Sequence, residues 1–263
     1  MSVAHDIARS SAPTRARDSR RLVRSLPVRE PLFFVHVMKT GGTTFRHRLV
    51  QQFGAESVFP FAKLDPPEVG PNVQVGYLRS VSRDRLIRIK AFSGHYPFFA
   101  TELVPRPPRV ITILRDPVER TISYLKQHHR DRGLGPERSL ESIYDLEWHR
   151  MLHMHNYQVR VFASTADEGI HSVLHWLDID ARRMEIAKEH LGRVEFLGLT
   201  EHFDEFVSRV VEQLGWRSDT TIRNQRVSDP APVPEWLRRR IAADNEADLE
   251  FYAYARELVA KAT

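Results

Sequence analysis

In Lys39-Thr40-Gly41-Gly42-Thr43-Thr44 a lysine, two glycines and three threonines stand together. Glycines let a backbone approach a ligand closely, and successive N–H groups at a helix start make an anion site. Lys39 adds a mobile charge, and Thr43 and Thr44 add hydroxyl donors. The plainer alternative is a tight turn in which Gly41 and Gly42 only supply unusual backbone angles. A second set is Arg115 with Ser123 eight residues later. An arginine fork matches phosphate oxygens in two bonds and a serine hydroxyl can complete the shell. The alternative there is an arginine held by a carboxylate and a serine facing solvent. The third candidate is His95 in Ser93-Gly94-His95-Tyr96, since imidazole is the side chain suited to taking a proton near neutral pH.

These residues need elements to position them. Leu32 to Val37 is a nearly continuous apolar run rich in β-formers, which predicts a central parallel strand. It leads through the glycines into a helix with Phe45 and Leu49 four apart on one face. From Phe53 to Arg85 the chain is rich in proline and glycine and reads as a long irregular excursion. Leu86 to Ser93 reads as a second strand and Arg109 to Leu114 as a third. Asp116 then suits an N-cap, Pro117 the first helical position, and Glu119 the reciprocal capping partner. Helical patterns follow at 140–162, 168–177, 181–191, 201–214 and 235–261, with a further strand at 194–199. Strands alternating with helices imply a parallel α/β sheet, in which ligands bind beyond the carboxyl ends of the strands. Arg115, His95 and the Lys39 loop all fall at such ends.

With 263 residues, 41% of them apolar and 28% charged, the chain can bury a sizeable core, which excludes a disordered or collagen-like protein. Having no cysteine, it has no disulfide, thiolate metal site or cysteine nucleophile. Residues 1–30 are rich in arginine and serine without a helical apolar stripe, and read as a disordered basic leader to a single domain over 31–263. A transit peptide and a weak phosphate-binding arm are the other readings of that segment. No apolar run is long enough for a membrane span and no secretory signal is evident, so the expected location is cytoplasmic. The formal charge of +5 and a pI near 9.6 suggest an anionic partner, with no sign of a specific nucleic acid and no oligomeric state implied.

Strand, Lys-Thr-Gly-Gly-Thr, helix, followed by strand and Arg-Asp-Pro-Val-Glu-Arg-x-x-Ser-Tyr, resembles the sulfotransferases that use 3′-phosphoadenosine 5′-phosphosulfate (PAPS), with the uronyl 2-O-sulfotransferase type as the nearest branch. The resemblance runs on through Asn156-Tyr157-Gln158, Leu197-Gly198-Leu199-Thr200-Glu201-His202-Phe203-Asp204 and Asp248-Leu249-Glu250-Phe251-Tyr252. It implies a P-loop-like three-layer sandwich, with a central parallel β-sheet and additional C-terminal helices. It also implies PAPS as the donor, no metal, and a hydroxyl-bearing acceptor such as a carbohydrate. By resemblance, Lys39, Thr40, Gly41, Gly42, Thr43 and Thr44 hold the 5′-phosphosulfate, Arg115 and Ser123 hold the 3′-phosphate, and His95 is the base; the charge of Lys39 also suits the departing group. Arg223 and Arg226 match only by position a basic loop that covers the nucleotide. Met38 stands where a proline usually precedes the lysine, and the membrane anchor of Golgi members is missing, as expected of a bacterial-type relative. A nucleotide-dependent kinase and a non-catalytic polyanion binder are the alternatives. The first fits less well because a Walker A loop places its glycines before the lysine.

Other residues weighed for function are His36, expected as a satisfied core histidine, and His149 with His153, whose spacing could bind zinc on a helix but more simply marks a solvated or partly buried face. The pair His128-His129 and the run Arg238-Arg239-Arg240 read as exposed surface. The tryptophans Trp148, Trp176, Trp216 and Trp236 could stack on sugar or adenine, with core packing the expected fate.

Overall fold

In the computed structural model, residues 30–60, 75–134, 138–169, 172–217 and 232–262 are described. The basic leader, most of the proline-rich excursion, and Arg223 and Arg226 lie outside them. Five strands, β1 (Leu32–Val35), β2 (Val58–Phe59), β3 (Ala91–Gly94), β4 (Arg109–Leu114) and β5 (Phe196–Leu199), form one sheet in the order β2-β3-β1-β4-β5, every pair parallel. The α/β class and the P-loop-like architecture expected from the sequence are what the chain adopts. Because β1 lies between β3 and β4, Leu32 is in register with Ala91 on one side and Arg109 on the other. The chain leaves β1 for β2 at one edge and later crosses from β3 to β4 on the other side of β1, so a crevice opens at the β1 carboxyl end.

Alternation along the strands divides the core. Leu32 and Phe34 point to one face, where they pack with Phe45 and Leu49 of α1 (Gly42–Phe53), Phe206 and Val210 of α9 (Phe203–Leu214), and Trp216. Phe33 and Val35 point to the other, against α7 (Tyr157–Ala163), α8 (Ala181–Gly192) and α11 (Glu246–Ala262). A smaller cluster joins α4 (Pro117–Asp131), α5 (Leu140–Tyr144), α6 (Glu147–His153) and α10 (Glu235–Ala243). Among the described residues no helix is long and apolar enough to cross a membrane.

Several sequence expectations are corrected. The excursion holds the short strand β2 and two short helices, α2 (Val75–Ser80) and α3 (Arg83–Ile87). The supposed strand from Leu86 therefore begins only at Ala91, because Ser82 caps α3 by accepting from Arg85 N. The pattern 140–162 is three helices, interrupted at 145–146 and again at 154–156, where Asn156 has a left-handed φ of 45°. Among the described residues of 168–177 there is no α-helix: a 3-10 turn at Ala166–Glu168 ends at Gly169 with φ 67°. At α4, Asp116 accepts from Val118 N and Glu119 N as expected of a cap, but Glu119 accepts from Arg238 Nη1 at 2.6 Å and does not reach back. Of the four tryptophans only Trp216 is buried, packed with Phe45 and Phe53; Trp148, Trp176 and Trp236 are exposed.

Candidate active site

The carboxyl end of β1 builds the first wall of the crevice. Thr112 Oγ1 donates to Val35 O at 2.9 Å, fixing the strand end, and Thr40 Oγ1 donates back to Val37 O at 2.9 Å. This closes a turn in which Lys39 has φ 71° and Gly41 φ 85°, conformations that favour glycine and are uncommon for lysine. Gly42 is required for a different reason: a Cβ there would lie 2.0 Å from the His36 ring. The first backbone bonds of α1 run from Thr44 N and Phe45 N to Gly41 O, so Gly42 N and Thr43 N precede the intrahelical ladder. With no acidic residue in the first turn of α1, the N-terminal end of the helix presents positive potential to the crevice.

The second wall is the start of α4. Arg115 follows β4 directly, its Nη1 donating to Lys39 O at 3.3 Å. Ser123 and Gln127, four residues apart, face the same way. Lys39 Nζ donates to Gln127 Oε1 at 2.6 Å, and Gln127 Nε2 donates to Asp131 Oδ2 at 2.8 Å. The lysine is thereby drawn across the crevice to α4.

The third wall is the end of β3. His95 Nδ1 lies 2.6 Å from His36 O. A carbonyl only accepts, so Nδ1 carries the proton and Nε2 is left as the acceptor nitrogen. The two imidazoles are 4.1 Å apart, centroid to centroid. Burial holds the His95 pKa below its ordinary value against the raising effect of that hydrogen bond, and Arg46 adds to the depression. Burial, His95 and Arg46 depress that of His36 further.

These walls enclose a cleft of about 630 Å³ lined by Lys39, Gly41, Gly42, Thr43, Thr44, His95, Arg115 and Ser123, among others. Two expectations are corrected. Thr40 is fully buried, with its hydroxyl on Val37 O, and is not among the residues that line the cleft. His36 is no satisfied core residue, because β1 ends at Val35 and its ring forms cleft wall. Sequence reasoning missed Tyr124, Gln127, Asp131, Arg132, Thr200 and Phe203, which also line the cleft. The four-residue step from Ser123 pointed to Gln127, and the end of β5 to Thr200. His128 also faces the cleft rather than open solvent, packing on His149 at 4.3 Å. Arg238 and Arg240 pair with Glu119 and Asp145. Among the described residues no group of three His, Cys, Asp or Glu side chains is arranged to hold a metal ion.

The donor set suits a nucleotide carrying two separate anionic groups. Lys39, the α1 N-terminus, Arg115 and Ser123 all line this one cleft. A parallel sheet whose central strand enters such a loop is a P-loop-like α/β architecture. No protein-family model matches the chain. Heparan-sulfate 6-O-sulfotransferase 2 of Gallus gallus is 25% identical over 277 aligned positions, covering 86% of this chain and 66% of the relative, so the chain spans about two thirds of that protein's length. A sulfotransferase crystal structure from Alicyclobacillus acidocaldarius is similar with a TM-score of 0.45 at 17% identity, covering 88% of this chain and 96% of that one. The likeness to the heparan-sulfate sulfotransferase agrees with the sulfotransferase resemblance read from the sequence motifs.

Proposed function

We propose that the protein transfers the sulfuryl group of PAPS to a hydroxyl of a carbohydrate acceptor, with His95 as the general base. The observation that carries this reading is the meeting of Lys39, the Gly41-Gly42 turn, Arg115, Ser123 and the acceptor nitrogen of His95 in one cleft. The carbohydrate class rests on the relative's name, that of a heparan-sulfate sulfotransferase. PAPS supplies the activated sulfuryl group and a bisphosphate leaving group. The backbone of Gly41 to Thr44, with the Thr43 and Thr44 hydroxyls, holds the 5′ end, with Thr40 bracing the turn from beneath, while Arg115 and Ser123 hold the 3′-phosphate. Lys39 moves from Gln127 to neutralise the departing oxygen, a demand shared with phosphoryl transfer. His95 Nε2 takes the acceptor's proton as the new oxygen–sulfur bond forms and the old sulfur–oxygen bond breaks, releasing adenosine 3′,5′-bisphosphate. Arg223 and Arg226 stay candidates for covering the nucleotide, and no metal enters the scheme. Calorimetric titration tests the donor directly. Adenosine 3′,5′-bisphosphate should bind and ATP with Mg²⁺ should not; the reverse would make the protein a kinase.

A further inference from the structure

Three segments of the sequence resemblance do not contribute to the chemistry above: Asn156-Tyr157-Gln158, the Leu199-Thr200-Glu201 stretch after β5, and Asp248 to Tyr252 in α11. They converge on one peptide. Gln158 is fully buried, and its amide meets the Arg115 backbone twice: Oε1 accepts from Arg115 N at 3.1 Å and Nε2 donates to Arg115 O at 2.7 Å. The next amide, Asp116 N, donates to Glu201 Oε1 at 3.1 Å, and the Glu201 Oε2 atom accepts from Tyr252 OH at 2.8 Å. On the other side, Thr200 Oγ1 lies 3.1 Å from both Leu114 O and Thr40 O, tying the peptide to the phosphate-type loop.

Gln158 is itself held. Asp248, fully buried, accepts from Gln158 N at 3.1 Å and Val159 N at 2.7 Å, closing the first turn of α7 from α11. Asp248 N donates to Asn156 Oδ1 at 3.0 Å, and Asn156 N donates to Asn245 Oδ1 at 2.8 Å. An extended strand end offers an arginine no intrinsic fixed direction, since its backbone could otherwise bond to water. Here each backbone group from Leu114 O to Asp116 N has a side-chain partner from a distant element.

We infer that these segments form a frame that aims Arg115, and that Gln158 is a positioning residue for recognition of the nucleotide's 3′-phosphate. This rests on Arg115 being the 3′-phosphate ligand. Gln158 touches no ligand. Its effect comes through where the guanidinium sits, and small misplacements at a charged site are expensive.

The test compares affinities for adenosine 3′,5′-bisphosphate and adenosine 5′-monophosphate in the full chain. The wild type should prefer the bisphosphate, and Arg115→Ala should remove the preference. Gln158→Leu, confirmed as folded by circular dichroism, should lower the preference by about tenfold while the monophosphate affinity hardly moves. If that variant fails to fold, Gln158→Glu is decisive: it keeps the acceptor for Arg115 N but sets an oxygen against Arg115 O, and the same loss is expected. A merely structural glutamine would weaken both ligands alike. A folded Gln158 variant with the wild-type preference overturns the inference while leaving the reading of Arg115 intact. If the wild type shows no preference, or Arg115→Ala keeps it, the reading of Arg115 fails and the inference with it.

Discussion

His95 is held by a single short bond, Nδ1 to His36 O, that selects which nitrogen can accept a proton. Its depressed pKa fixes the direction of the pH dependence. The base form is retained to lower pH than an ordinary imidazole with pKa 6.5 would allow. Turnover should therefore rise through an apparent pKa below 6.5 and be flat across neutral pH. A pH–rate profile checks this, with His95→Ala expected to abolish turnover and leave bisphosphate affinity nearly intact. An acid limb above 6.5, or a variant that turns over normally, would transfer the role to another group. His36 is the natural comparison, since it shares the cleft but is more strongly depressed and more buried. Its ring packs against Gly42, so its replacement should perturb the loop as well as the chemistry.

The elements that carry the site were the most legible ones. Arg109–Leu114 reads as a strand with the bounds it has, and the helix from Pro117 begins at its Asp116 cap, because apolar runs and capping chemistry are local signals. The pieces that failed depend on distant contacts. The breaks around α6 and α7 follow from the left-handed Asn156 and its bonds to Asn245 and Asp248, about 90 residues away and outside any sequence window. Glu119 likewise abandoned its cap for Arg238 on α10. The histidines between α4 and α6 are a product of the same packing. His149 and His153, with rings 4.8 Å apart, are pushed down to about 4, His149 by burial and then by His128, His153 by burial and then by His149. Each is neutral in the folded chain, whereas the unfolded chain binds protons from pH 6.5 downward. Stability contributed by these residues is thus complete above 6.5 and falls as pH drops towards 4. Thermal melts over that range should show the decline, and His149→Phe should make it shallower; an equal slope in the variant would place the acid sensitivity elsewhere.

At the scale of the whole molecule, charge and site separate. Residues 1–29 carry seven arginines against two acidic residues, an excess equal to the +5 of the whole chain, so residues 30–263 are balanced. The cleft's positive character is built locally from Lys39, Arg115, Arg132 and the α1 N-terminus, not from net charge. The sheet is also anchored from Pro31 onward: Pro31 O accepts from Arg109 N and Leu32 N donates to Lys90 O, both at 2.9 Å. A protein beginning at Glu30 should consequently keep its sheet and bind adenosine 3′,5′-bisphosphate within about twofold of the full chain, since charges beyond a Debye length of about 8 Å are screened at physiological salt. The same truncation should elute from a sulfated-polysaccharide matrix at markedly lower salt, because that retention follows the number of cations engaged. Calorimetry and a salt gradient measure the two quantities independently. Loss of nucleotide affinity on truncation would make the arginine-rich segment part of the donor site; unchanged retention would assign polyanion contact to the domain itself.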